Sequence, residues 1–123
     1  MSNSTFINFT NHASDRWGKA QMEAAEKYGE IVDVPFPNVP ATATENDIIR
    51  LSREMFEKIM SYNPNAVLCQ GEFTLTYRII QLLKEQGITA VSACSERKSI
   101  EEKKEDGTVH KSAVFKFIQF REY

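Results

Sequence analysis

Long hydrophobic runs are missing from this chain. No apolar stretch approaches the ~18 residues that a membrane span needs. Cysteine is scarce: Cys69 and Cys94 are the only two, and both sit in apolar, strand-like runs, "AVLCQ" and "AVSACS". No C-x-x-C or Cys/His spacing suggests zinc, and no carboxylate cluster suggests another metal, so no metal and no cofactor is expected. Two buried, reduced thiols fit a reducing cytosol. A basic excess is also lacking, with 15 basic and 17 acidic residues and a net charge of -2. That argues against long DNA or RNA as a partner, which needs a basic face, but leaves room for a small phosphate ligand in a local pocket. There is no G-x-G, which argues against a dinucleotide fingerprint. The opening "MSNSTFINFT" has no basic-then-apolar layout of a signal peptide. The protein is therefore expected to be cytoplasmic, with no membrane partner, and the sequons at Asn3 and Asn8 read as chance matches.

What is present is a changing apolar period. The 123 residues suit one domain, residues 1–123, with a core that buries roughly two thirds of the surface the unfolded chain exposes. Hydrophobic residues make up 41% and charged residues 26%, as in ordinary globular proteins. Residues 5–10 read as a strand. A helix over 15–28 follows, with Trp17, Ala20, Gln21, Ala24, Ala25 and Tyr28 at 3/4 spacing and Gly29 as its stop. "EIVDVPF", 30–36, is a second strand that Pro35 and Pro37 end. Thr44 caps a helix striped by Ile48, Leu51, Met55, Phe56, Ile59 and Met60. "NAVLCQG", 65–71, is almost continuously apolar, as a strand buried on both faces reads. A third helix carries Leu75, Ile79, Leu82 and Leu83 inward and stops at Gly87. Residues 88–97 form a fourth strand. The charged run 101–106 reads as a solvated hairpin tip with Asp106-Gly107 as its turn. In the last strand, 113–123, partial alternation puts Phe115 and Phe117 on one face and Lys116, Ile118 and Phe120 on the other.

Strands alternating with helices predict an α/β, Rossmann-like three-layer sandwich. The expected sheet is mostly parallel and five-stranded, in the order 2-1-3-4, with the last strand antiparallel beside strand 4. In such sheets ligands bind beyond the carboxyl ends of the strands where the order reverses, here between strands 1 and 3. Three polar strand ends meet there: "TNHAS", "QGEFT" and "CSER".

In the first, Thr10, Asn11 and His12 precede a helix start at Ser14 or Asp15, whose amides and dipole suit phosphate. His12 is either a proton-handling group or a loop-structuring one. Asp15 reads as a helix N-terminal charge. Trp17 either packs the helix on the sheet or stacks on a base. In the second, Gln70 and Gly71 allow a close ligand approach. Glu72 accepts from a sugar hydroxyl or simply answers the helix dipole, and Thr74 faces the crevice. In the third, Ser95, Glu96 and Arg97 end a strand. Arg97 is a phosphate partner or half of a surface pair with Glu96.

These segments, together with "GEIVDVPFPNV" and "FKFIQFREY", resemble a family of small proteins encoded beside type III CRISPR systems, with a minimal CARF (Rossmann-like) domain. The resemblance covers nearly the whole chain from Ile7. It implies cyclic oligoadenylate as ligand, most often the four-nucleotide ring, held across a homodimer. It further implies a ring nuclease that cuts without metal, by attack of a ribose 2′-OH on its own phosphate. On that implication His12, Arg97 and Ser14 are the candidate catalytic residues. Thr10, Asn11, Gln70, Gly71, Glu72, Thr74, Ser95 and Glu96 are the candidate ligand-binding ones. The chain departs from the pattern in lacking a strong Lys/Arg pair in the first two loops, which bears on cleavage more than on binding. Three other readings stay open: a binding protein without turnover, a nucleoside-processing enzyme with Glu72 as nucleophile, and an interaction subunit using the Phe115–Phe120 strand.

Overall fold

Side-chain alternation in the first strand sets the architecture. The computed structural model describes residues 4–123, so the sequon at Asn3 lies outside the described residues. Strand β1 (Thr5–Phe9) is buried at every position. Ile7 and Phe9 pack into one cluster with Ile48, Ile59, Leu75, Ile79 and Leu83. Phe6 packs on the opposite side with Ala25, Ala66, Leu68 and Val91. A strand with apolar side chains on both faces belongs in the middle of a sandwich.

The remaining elements are α1 (Lys19–Glu26), β2 (Glu30–Asp33), α2 (Glu45–Met60), β3 (Pro64–Cys69), α3 (Phe73–Glu85), β4 (Thr89–Lys103) and β5 (Val109–Glu122). The sheet order is β2-β1-β3-β4-β5, parallel except for the last pair. α2 and α3 cover one face and α1 the other. The fold is the expected Rossmann-like sandwich, and the order reverses between β1 and β3. No helix among the described residues is long and apolar enough to cross a membrane.

Local chemistry explains the boundaries. Thr44 and Asp47 form a reciprocal capping box, with Thr44 N–H donating to Asp47 Oδ2 (2.9 Å) and Asp47 N–H to Thr44 Oγ1 (3.1 Å). In α3, Leu75, Ile79 and Leu83 recur every four residues and are fully buried. Gly87, at φ 70°, takes the left-handed conformation that ends it.

Four sequence expectations need correction. The helix expected over 15–28 is broken. Ser14–Arg16 form a single 3-10 turn, Trp17 is extended at ψ 146°, and α1 begins only at Lys19. The break lets the Trp17 ring reach back over Phe6 and Phe120, at centroid distances of 6.3 and 6.4 Å. The second strand ends as a ladder at Asp33, because Pro35 and Pro37 have no N–H to offer. The chain still runs alongside β1, with Val34 N–H donating to Asn8 O and Phe36 N–H to Thr10 O. The charged stretch is not merely a tip: β4 and β5 stay paired out to Lys103 and Val109, and only Lys104–Thr108 turn. Finally, the register shifts between Cys94, opposite Gln119, and Ser95, opposite Phe117. Ile118 is the extra residue. This bulge brings Phe117 and Phe120 together at 4.9 Å, where strict alternation would have separated them.

Candidate functional site

The polar residues after β1 are tied up from below. Asn8 is 1% exposed, and its Nδ2 donates to His12 O and to Asp33 Oδ1, both at 2.8 Å. Its Oδ1 accepts from Thr10 Oγ1 at 2.8 Å, and that hydroxyl oxygen accepts from His12 N–H at 3.1 Å. Every polar atom of the buried Asn8 amide is thus engaged, as burial demands. This burial also removes Asn8 as a glycan acceptor. Asp33, the register partner of Asn8 on β2, accepts from the Ser14 N–H (3.2 Å) and from Ser14 Oγ (3.0 Å).

That network corrects the expected phosphate cradle. Ser14 begins no α-helix, and its amide and hydroxyl are held by the Asp33 carboxylate rather than open to an anion. The His12 amide is held by Thr10. Sequence reasoning missed Asp33, because its partner lies far along the chain and only parallel pairing of β1 with β2 brings them together.

Above this floor lies a cavity of about 820 Å³ on the α1 face, at the carboxyl edge of the sheet. It gathers Thr10, Asn11, His12, Gln70, Gly71 and Ser95, as the sequence reading expected. Arg16, Lys19 and Lys116 join them, with Trp17, Phe115 and Phe117. No aspartate or glutamate among the described residues lines it. The pocket is therefore cationic inside a chain that is net acidic. Among the described residues neither Arg16 nor Lys116 enters an ion pair, while Lys19 reaches Glu23 at 3.8 Å. The first two loops themselves carry no Lys or Arg, and Arg16 and Lys19 bring a basic pair from the 3-10 turn and α1 beside them. The available signal was the interleaving of basic and aromatic residues in "RWGK" and "FKF".

Each remaining expected residue has a definite place. Gln70 Oε1 accepts from Ala93 N–H at 2.9 Å, which pins the side chain between β3 and β4. Gly71 makes room for a ring as well as a ligand: a Cβ there would meet Phe36 at 2.5 Å. Glu72 does not face the cavity. It caps α3, accepting from Thr74 N–H (3.0 Å), Leu75 N–H (2.8 Å) and Thr74 Oγ1. Partial burial raises the Glu72 pKa, but the hydrogen bonds from Leu75 and Thr74 outweigh it and hold the carboxyl below its ordinary value. Thr74 is spent on the same cap. Arg97 and Glu96 lie outside the cavity, on opposite faces of the β4–β5 ribbon, with Phe115 and Lys116 as their cross-strand neighbours. Among the described residues they form no ion pair with each other.

His12 stands exposed at the cavity wall, and its ring makes no hydrogen bond among the described residues. Its backbone, not its ring, structures the loop. Cys69 is inert by burial, which pushes its thiol up to about 12. Tyr123 O–H closes the end of β3 by donating to Cys69 O at 2.7 Å. Among the described residues no group of three or more His, Cys, Asp or Glu side chains is placed to hold a metal ion.

The profile of the family described as the Uncharacterized protein MJ1673 family matches residues 4–121. The chain belongs to that family. No curated protein and no solved structure matches it. The MJ1673 family match spans the Asn8–Asp33 network, all the cavity-lining residues and the β4–β5 ribbon up to Arg121.

Proposed function

We propose that this protein is a cytoplasmic, metal-independent ring nuclease that binds cyclic oligoadenylate, the four-nucleotide ring first, in the cavity on the α1 face. The observation that carries the reading is a cavity with Arg16, Lys19, Lys116 and His12 in its lining, aromatic rings at Trp17 and Phe117, and no carboxylate among the described residues. Phosphates need cations, and the planar guanidinium of Arg16 matches phosphate oxygens best. Bases stack on aromatic rings at about 1–3 kcal/mol each. In the reaction a ribose 2′-hydroxyl gives its proton to a base and its oxygen attacks the adjacent phosphorus. The bond from phosphorus to the 5′-oxygen breaks, the 5′-oxygen takes a proton, and a 2′,3′-cyclic phosphate remains. Positioning supplies much of the rate, and cations stabilise the extra charge on phosphorus. His12 is the group suited to the proton. The roles first assigned to Arg97 and Ser14 pass to Arg16 and Lys116, because Arg97 lies outside the cavity and Asp33 holds Ser14.

A second reading is a binding protein without turnover. It is favoured by the Ser14 and His12 amides, which are already engaged and so do not add to charge stabilisation. Incubation with radiolabelled cyclic tetra-adenylate in EDTA separates the two. Linear products are expected, and His12→Ala should slow their appearance by about tenfold or more. Retention of an intact ring would favour the binding reading, and absence of binding would remove both.

A further inference from the structure

Beyond Ser95 and Phe117 the sheet narrows to two strands, and the ribbon runs out to Lys103 and Val109 with nearly every residue exposed. A two-stranded hairpin alone is marginal in water. Directly paired residues share a face, so one face carries Arg97 with Phe115, Ser99 with Ala113, Glu101 with Lys111, and Lys103 with Val109. Phe115 on this face is 72% exposed and Val109 is 54% exposed. Next to Phe115 lies a groove of about 310 Å³ lined by Arg97, Ser99, Glu101, Lys111, Ser112 and Ala113. A projecting ring and a groove thus sit side by side on one surface.

We propose that this face of the β4–β5 ribbon binds the same face of a second copy of the chain, with Phe115 of each copy seated in the groove of the other. A two-fold axis through Ser99 and Ala113 satisfies both copies at once, as an isologous contact must. Lys111 and Glu101 pair with each other at 3.6 Å within one chain, and aligned face-to-face packing sets Phe115 over the ammonium and Arg97 over the carboxylate of that pair in the second copy. The small side chains at the axis permit close approach. A buried aromatic anchor in a matching groove is the usual centre of such an interface.

Charge disfavours the other route to self-association. The outer edge of β5 carries His110, Lys111, Lys116 and Arg121, and no acidic residue falls between Val109 and Arg121. Pairing that edge with its own copy would bring like charges together. The opposite ribbon face, with Lys98, Ile100, Val114 and His110, offers no phenylalanine, tyrosine or tryptophan ring. The ribbon contact follows from the ribbon alone and does not depend on the nucleotide reading. It also sets Lys103 of the second copy opposite Ser95, at the cavity wall, which would add a cation there.

Sedimentation without ligand at about 100 μM, where a micromolar interface is filled, tests this directly. The wild type should sediment at twice the 14.1 kDa chain mass. Phe115→Asp, which removes the ring, and Ala113→Arg, which fills the groove, should each give a monomer. Both positions are exposed, so an unchanged circular dichroism spectrum will confirm that the fold is kept. A wild type that is monomeric, or a dimer that both variants leave intact, overturns the proposal.

Discussion

On one face of the sheet Ile7, Phe9, Val67 and Ala90 lie beneath two helices, of 16 and 13 residues, that bury Ile48, Ile59, Leu75, Ile79 and Leu83 against them. On the other, Phe6, Ala66, Leu68 and Val91 lie beneath one helix of 8 residues whose only buried side chain is Ala25. Aromatic rings from Trp17, Tyr28 and Phe120 make up part of the missing cover. The rest stays open as the cationic cavity. The difference teaches a division of labour. The thickly covered face supplies the apolar burial that folds the chain, and the thin face keeps polar groups and space at the strand ends.

Substitutions on the two faces should therefore separate stability from recognition. The largest effect is expected from Phe9→Ala on the thick face, at about 3–5 kcal/mol, read from chemical denaturation. A loss below about 1 kcal/mol would mean that this face carries far less of the stability than its burial implies. On the thin face Asn8→Ala should cost about 1–3 kcal/mol, because His12 O, Asp33 and Thr10 lose buried hydrogen-bond partners. It should also loosen the His12 loop, seen as faster amide exchange from Asn11 to Ser14. Protection left unchanged there would show that Thr10 and Asp33 hold the loop without Asn8.

The smallest effect is expected at the rim that both faces share. Glu72→Gln should cost about 1 kcal/mol at neutral pH, the value of a helix cap. The Glu72 pKa is lowered in the folded chain, so its contribution is present above the ordinary carboxylate value of 4.5 and fades as pH falls through the folded value. Wild type and variant should converge in stability below that range. A gap that persists in acid would assign the cost to geometry rather than to charge.

Much of this contrast could be read in the residues. The continuous apolar run "NAVLC" announced a strand buried on both sides, and the stripe from Ile48 to Met60 announced the helix above it. The strand order followed from alternating elements, and with it the edge where the cavity lies. His12, Thr10, Gln70 and Ser95 were found from that edge. Glu72 was legible as a helix-end charge but not as a closed cap, since that depends on which way one side chain turns. The break at Trp17 was hidden because Trp17, Ala20 and Ala24 do fit a helical stripe. What overrides the stripe is an aromatic contact with Phe120, which comes from the other end of the chain. Arg97 sat at a polar strand end in the sequence, yet β4 continues past it, and the residue leaves the crevice with the ribbon.

The sequence by itself determined the three layers and the place where the sheet order reverses, because apolar period and turn residues act over a few neighbouring positions. Only the tertiary structure decided how the strand-end groups are used. Parallel pairing set Asp33 beside Asn8 and so filled the amide cradle. A single extra residue at Ile118 turned Phe117 and Phe120 to the same side, and the cations of Arg16, Lys19 and Lys116 converged from separate elements. Such charges attract or repel across space, and nothing in their spacing along the chain encodes that they will meet.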